Sequence, residues 1–443
     1  MKVLSKKPFM IYKKQTMVVL FIIAALSITQ CTKTDINKIP EHLDPALVAE
    51  GKDIFRFDSF GDEDFWSGLL HIDKAIAGSN NGGFGSGVSP KTALAVGLKV
   101  DAEALPAEIV SGIASGTVDL DDPATTLALL KLNAVVGVKG NFNPEGALTS
   151  IGITCASCHS TVDDSFAPGI GKRLDGWPNR DLNVGAIASL TDTAQPIASM
   201  LHVDEPTLRT VLGMWGPGKF AAILFLDGKA LKPDGTAAAN LIPAAFGLKD
   251  VSLTTYTGWG DISYWNAFVG TLEMHGKGTL IDPRLNDASK YPIAVENNLG
   301  NTTHSPDLIT SKLPALRAYQ HSISAPKPPA GSFDVAAAGR GKGIFMNKAK
   351  CATCHSPKLY KDPSTILHTA AEIGIDDFEA MRSPTEKYRT APLGGLFARA
   401  KGGFYHDGRF ATIPDVINHY NNHLQLNLSA NEKQDLAEYL KSL

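Results

Sequence analysis

Two five-residue runs constrain this chain more than anything else in it: Cys155-Ala156-Ser157-Cys158-His159 and Cys351-Ala352-Thr353-Cys354-His355. With five cysteines and 12 histidines in 443 residues, one CxxCH arises by chance on the order of once in a thousand chains, and two far more rarely. The spacing carries a specific chemistry. Two intervening residues put both sulfurs on one turn, placed to form thioether bonds to the vinyl groups of a porphyrin, and the next imidazole falls under the iron. The runs therefore predict two covalently bound haem c groups, one on Cys155, Cys158 and His159 and one on Cys351, Cys354 and His355. A zinc site pairing the two CxxC sequences would leave both histidines without a purpose. A thioredoxin-like redox pair expects a βαβ context, which neither run has.

The fifth cysteine is Cys31. Lys2, Lys6, Lys7, Lys13 and Lys14 precede an apolar run, Met17 to Ile28, too short for a membrane span and suited to a signal-peptide core. We expect a signal peptide over 1–30, export to the periplasm, and lipidation of Cys31 as a membrane anchor. Residues 31–45, polar and containing Pro40 and Pro45, would form a tether. Gln30 departs from the small residue that usually precedes a lipidated cysteine, so an ordinary signal peptide or an uncleaved anchor beside an incidental Cys31 is the alternative. The net charge of −3 gives no basic face for nucleic acid.

Pro and Gly punctuate the chain beyond the tether. Asn80 to Gly87 is glycine-rich, Leu285 to Ser305 is polar and turn-rich, and Ala325-Pro326-Lys327-Pro328-Pro329-Ala330-Gly331 reads as a stiff linker. Past that linker, Val335 to Met346 has helical spacing and leads into the second motif. Thr412-Ile413-Pro414-Asp415 marks a helix entry, and Ser429 with Glu432 a capping box for a closing helix. Gly51-Lys52-Asp53-Ile54-Phe55 matches Gly341-Lys342-Gly343-Ile344-Phe345, a faint internal repeat. Five residues separate Phe345 from Cys351, whereas about a hundred separate Phe55 from Cys155. The expected fold is all-α: a cytochrome c-like haem domain over 46–325 with a large insertion, then a cytochrome c domain over 326–443.

Tyr388-Arg389-Thr390-Ala391-Pro392-Leu393, Gly403-Phe404-Tyr405-His406-Asp407-Gly408-Arg409-Phe410-Ala411-Thr412 and Leu440-Lys441-Ser442-Leu443 resemble the bacterial di-haem cytochrome c peroxidase superfamily. That superfamily includes peroxidases, di-haem maturation oxidases and rubber oxygenases. The likeness is specific over residues 335–443 and weak before them, apart from the first CxxCH. It implies two facing cytochrome c domains, often with calcium between them, whose ligands no pattern here places. It also implies an oxidoreductase that reduces hydrogen peroxide with electrons from a small periplasmic redox protein. Members with peroxidase activity ligate the second haem with a Met from the helix after the His-Asp-Gly segment. His419 stands there in this chain, as in the rubber-oxygenase branch, so the resemblance implies a His355/His419 pair. His406 and His423 are the alternative ligands.

The first haem departs further from the peroxidases, because Ser160 to Met200 contains no histidine. Met200, His202, Met214, Met274, His275, His304 and His321 come later. Our expectation is that this haem is five-coordinate or water-bound and is the reactive one. Arg173 is a candidate partner for a haem propionate. Trp215, Trp259 and Trp265 either lie between the haems or pack the core. An electron carrier without catalysis and an oxygenase acting on an organic substrate are the competing functions. For the anchor the expected outcome is concrete: Cys31→Ser should release the protein from membranes, and continued sedimentation with them would contradict lipidation.

Overall fold

The computed structural model describes residues 43–356 and 366–443. The expected signal peptide, Cys31 and most of the tether lie outside them. Numbering only the elements used below, α1 (Pro45–Phe57) opens with the Asp44 carboxylate accepting the Ala46 N–H at 2.9 Å and with proline at the first helical position. That start satisfies one orphan amide, and proline has no N–H to leave unpaired. A hairpin of β1 (Val138–Phe142) and β2 (Leu148–Ile153) runs directly into α2 (Ala156–His159), the first motif. Then come α3 (Ile262–Phe268), α4 (Leu313–Ser322), α5 (Val335–Met346), α6 (Ile413–His423) and α7 (Ala430–Lys441). The expected entries to α6 and α7 are present. Thr412 with Asp415, and Ser429 with Glu432, each close a capping box.

Two helix pairs cross in the same way. A Cβ on Gly51 of α1 would stand 1.9 Å from the Ala315 carbonyl oxygen and 2.8 Å from Tyr319 Cβ, both on α4. A Cβ on Gly341 of α5 would stand 2.0 Å from the Asp435 carbonyl oxygen and 2.9 Å from Tyr439 Cβ, both on α7. One turn past each glycine, a phenylalanine packs edge-on against that tyrosine. Phe55 and Tyr319 have ring centroids 5.4 Å apart at 63°, and Phe345 and Tyr439 5.2 Å apart at 68°. The five-residue repeat thus reappears as a matched contact, with the carbonyl and the tyrosine one helical turn apart on the facing helix.

Each crossing is the floor of a core that reaches a CxxCH run. Phe55, Ile54, Leu316 and Tyr319 cluster with Ala156 and, half-buried, Cys155. Phe345, Leu436, Tyr439 and Leu440 cluster with half-buried Cys351 and Ala352. Separate cores fill the long stretches between, one around Leu70, Leu130 and Ile151, another around Trp259, Trp265 and Tyr291. The structure is mostly helical, but not all-α: among the described residues there are several short two-stranded sheets. The longest, β1–β2, exists because apolar residues of β2 bury on the Leu130 core while Asn143 to Gly146 reverses the chain, the Gly146 N–H donating to Asn143 O at 2.9 Å. Among the described residues no helix is long and apolar enough to cross a membrane.

The glycine crossings make a direct prediction. Gly51→Ala and Gly341→Ala should each lower stability to urea by about 1–3 kcal/mol, because the methyl would overlap a backbone carbonyl that cannot yield. Gly339→Ala, on α5 with open space beside it, should be neutral or stabilise by about 0.4–1 kcal/mol. Equal effects at Gly339 and Gly341 would contradict the close approach.

Candidate haem centres

Both motifs close a helical turn on themselves. The His159 N–H donates to Cys155 O at 3.1 Å and the His355 N–H to Cys351 O at 2.8 Å. Each histidine therefore stands one turn beyond its first cysteine, with both sulfurs on the same side, as thioether attachment requires. The four motif cysteines form no disulfide.

The first motif is clasped from three directions. The Ser157 hydroxyl donates to Gly137 O at 2.5 Å. The Asn179 N–H donates to Cys158 O at 2.8 Å, and the Asn179 side chain donates to Ser157 O at 3.3 Å and Gly97 O at 3.0 Å. The Gly176 N–H donates to His159 O at 2.7 Å. Among the described residues the imidazole has one hydrogen-bond partner, the Pro243 carbonyl oxygen, 3.0 Å from Nδ1. A carbonyl only accepts, so Nδ1 carries the proton and Nε2 keeps its lone pair for a metal. Burial pushes His159 down to about 4 and both thiols, Cys155 and Cys158, up to about 12. Neutral, half-buried thiols beside a neutral, oriented imidazole fit covalent haem and do not fit a reactive thiolate.

At the second motif, burial raises the Cys351 thiol to about 11. Tyr420 lies close enough to Cys351 and Cys354 for their charges to act on its hydroxyl. His419, next to it on α6, is half-buried with Nε2 2.8 Å from Ile373 O. Its ring faces Phe410 at 4.7 Å and lies parallel to His423 at 5.9 Å. His423 Nε2 in turn meets Glu372 O at 3.2 Å. His406 is placed differently: 2 % exposed, stacked on Tyr388, and with its carbonyl accepting the Leu241 N–H at 2.6 Å. Residue 405, just before it, is a tyrosine at φ 70°, a conformation that costs a non-glycine residue about 1–3 kcal/mol.

The other candidate residues scatter. Met274 is buried in the cluster that holds Ala156 and Cys155. His275, at φ 62°, stacks on Phe65. His202 pairs with Glu296 at the surface, Met214 is exposed, and His304 Nδ1 meets Gly278 O at 2.9 Å. Arg173 is buried with its Nε 3.1 Å from the buried Asp101 carboxylate, each supplying the charge the other needs. Trp259 and Trp265 stack at 5.2 Å inside an aromatic core, and Trp215 packs against Phe220 in another. Among the described residues no group of three or more His, Cys, Asp or Glu side chains is arranged to hold a metal ion.

Three features escaped the sequence. Trp177, just after the first motif, touches Phe246 at 6.3 Å and Phe397 of the C-terminal region at 5.6 Å. Two carboxyls are pushed by burial toward the neutral form: Asp62, up to about 9, and Glu273, well above the usual carboxylate range, with neither of its oxygens hydrogen-bonded among the described residues. Arg180, Arg389 and Arg399 gather around Tyr256. A lone Trp, Asp, Glu or Arg carries no spacing signal, so only the folded chain exposes these groups.

The cytochrome c family matches residues 338–443, which include Cys351, Cys354 and His355. The methylamine utilization protein MauG of Methylorubrum extorquens is 24% identical over 220 residues, 42% of this chain and 61% of that protein. This chain thus spans less than two thirds of that relative's length. Hydrazine synthase of Kuenenia stuttgartiensis, in a structure pressurized with xenon, is 18% identical with a TM-score of 0.29, covering 50% of this chain and 86% of that one. A likeness at that score carries no weight here. The C-terminal region is a cytochrome c domain, and the two likenesses imply covalently bound haem c.

Buried histidines also set an acid limit. His321 on α4 is 4 % exposed, its Nε2 unpartnered among the described residues, and burial lowers it to about 4. The unfolded imidazole binds its proton near pH 6.5, so between about pH 6.5 and 4 the unfolded chain holds more protons and stability falls as pH falls. From pH 7 to pH 5 this one group accounts for about 2 kcal/mol. Urea unfolding of His321→Gln should therefore show that much less loss over the interval. An unchanged loss would place the acid sensitivity elsewhere.

Proposed function

We propose that this chain is a di-haem c-type cytochrome of the peroxidase type, reducing hydrogen peroxide with electrons from a small redox protein. The observation that carries the two-haem reading is the repeated crossing, Gly51–Ala315 with Phe55–Tyr319 and Gly341–Asp435 with Phe345–Tyr439, each underlying a CxxCH run. One copy lies in the region that matches cytochrome c; the other supports a second domain of the same kind, opened by insertions. The organisation we propose is therefore 46–325 and 326–443. Cys155, Cys158 and His159 would hold one haem and Cys351, Cys354 and His355 the other. Bound haem supplies one-electron transfer and, where an axial position is open, activation of a small oxidant.

The residues around the first motif suit the open role. His159 is the proximal ligand in this reading, fixed by Pro243 O, while Met274, one of the candidate distal residues, is packed in the apolar core. Asp62, near enough to influence Cys155, and Glu273, beside Met274, hold protons at buried carboxyl oxygens. A neutral buried acid is the form that can deliver a proton to a leaving oxygen. Trp177, between Phe246 and Phe397, joins the two halves through aromatic contact, while Trp215, Trp259 and Trp265 pack in cores. For the second haem the proposed distal ligand is His419. Its Nε2 already engages Ile373 O, so ligation through Nδ1, or through Nε2 after that bond opens, is the form the proposal takes.

The test is an electron paramagnetic resonance spectrum of the oxidised protein, with and without peroxide, on wild type and His419→Ala. Wild type should show one high-spin signal that peroxide consumes and one low-spin signal, and His419→Ala should turn the low-spin signal high-spin. Two low-spin signals indifferent to peroxide, both as isolated and after half-reduction, would leave an electron carrier. A low-spin signal unchanged in the variant would remove His419 as a ligand.

A further inference from the structure

Three cations lie together with no anion to neutralise them among the described residues. Arg180 is 8 % exposed, and its Nε and Nη1, Arg389 Nη1 and Arg399 Nε are shielded from water and hydrogen-bonded to nothing among the described residues. Arg389 Nε does have a partner, donating to Thr255 O at 2.7 Å, and the Arg399 guanidinium lies 4.6 Å from the Phe246 ring centre. Among the described residues none of the three pairs with a carboxylate. The group they share is Tyr256, which burial keeps neutral. Burial and mutual repulsion disfavour the charge on Arg399, which falls to about 10. Like charges confined in a low-dielectric site persist only where an anion completes them.

Two of the three arginines lead back to the first motif. Arg180 follows Asn179, whose amide holds Cys158 O and whose side chain holds Ser157 O. Arg399 rests on Phe246, in the segment whose Pro243 O receives His159 Nδ1 and whose Ala245 N–H donates to Gly176 O at 2.8 Å. A haem carries two propionate carboxylates on the edge opposite its vinyl groups. Guanidinium forks bind such carboxylates in pairs of parallel hydrogen bonds.

We propose that Arg180, Arg389 and Arg399 form the propionate clamp of the haem attached at Cys155, Cys158 and His159. This rests on the reading that the first motif carries a haem. Two of the three arginines, Arg389 and Arg399, come from the region matching cytochrome c, so the C-terminal domain completes the anion site of the other half. The charge state of one haem is thereby set by residues of both domains.

Spectroelectrochemical titration of the holoprotein tests the clamp. Removing a positive charge beside a haem favours the oxidised iron, so Arg389→Gln and Arg399→Gln should each lower one of the two midpoint potentials and leave the other in place. Arg399→Lys, which keeps the charge, should recover most of the shift; a purely packing role would not separate Lys from Gln. The same Gln substitutions made in a Cys155→Ala/Cys158→Ala protein, which keeps only the second haem, should leave its potential unmoved. A shift there would assign the clamp to the second haem's propionates and overturn the proposal. So would unmoved potentials in the holoprotein, or saturable binding of inorganic phosphate to it that Arg389→Gln abolishes. If the Cys155→Ala/Cys158→Ala protein still contains two haems, the reading of the first motif fails instead.

Discussion

Everything in this chain is built on two places where a helix has no side chain. At Gly51 and Gly341 the facing backbone leaves no room for a Cβ, which would stand 1.9 and 2.0 Å from a carbonyl oxygen, so even one methyl would collide. The close approach lets Phe55 reach Tyr319 and Phe345 reach Tyr439, and those aromatic pairs anchor the cores on which the two CxxCH turns rest. The first crossing is also wired to its motif by polar contacts. Arg56 of α1 and Tyr319 of α4 both bind Asp175, which also accepts the Ser160 hydroxyl immediately after His159. The crossing and the residue after His159 thus share one carboxylate.

Buried ion pairs tie the C-terminal region to residues 227–232. Arg382, 2 % exposed, lies 2.8 Å from Asp227 and 3.2 Å from Glu379, and Lys232 lies 2.7 Å from Asp407. These pairs are compensated, and they show how the same interface treats a charge it means to bury. The three arginines around Tyr256 are the exception, and the contrast gives the propionate assignment its force. A fold that provides Asp227 and Glu379 for one arginine does not leave three others unmatched without an anion to meet them.

What could be read from the sequence was whatever depends on spacing. The CxxCH runs, the Thr412 and Ser429 helix starts and the Gly-Lys-x-Ile-Phe repeat are all local patterns, and their elements stand where the pattern put them. The groups that were misjudged or missed depend on what the chain brings together from afar. Arg173 meets Asp101, some seventy residues away, a separation no local pattern spans. Arg180 and Arg399 lie more than two hundred residues apart, and Trp177 finds Phe397 across a similar gap. The β1–β2 hairpin was overlooked for a different reason, since a short insertion of alternating residues is outweighed by the surrounding helical pattern.

Two covalent haems, one on each matched crossing, are the proposal on which the rest stands. Intact-mass spectrometry of the exported protein, beside the Cys155→Ala/Cys158→Ala and Cys351→Ala/Cys354→Ala variants, tests it most directly. The wild-type mass should be increased by two haems, and each variant should lose one of them. A wild-type mass increased by a single haem, unaffected by the substitutions at Cys155 and Cys158, would contradict it.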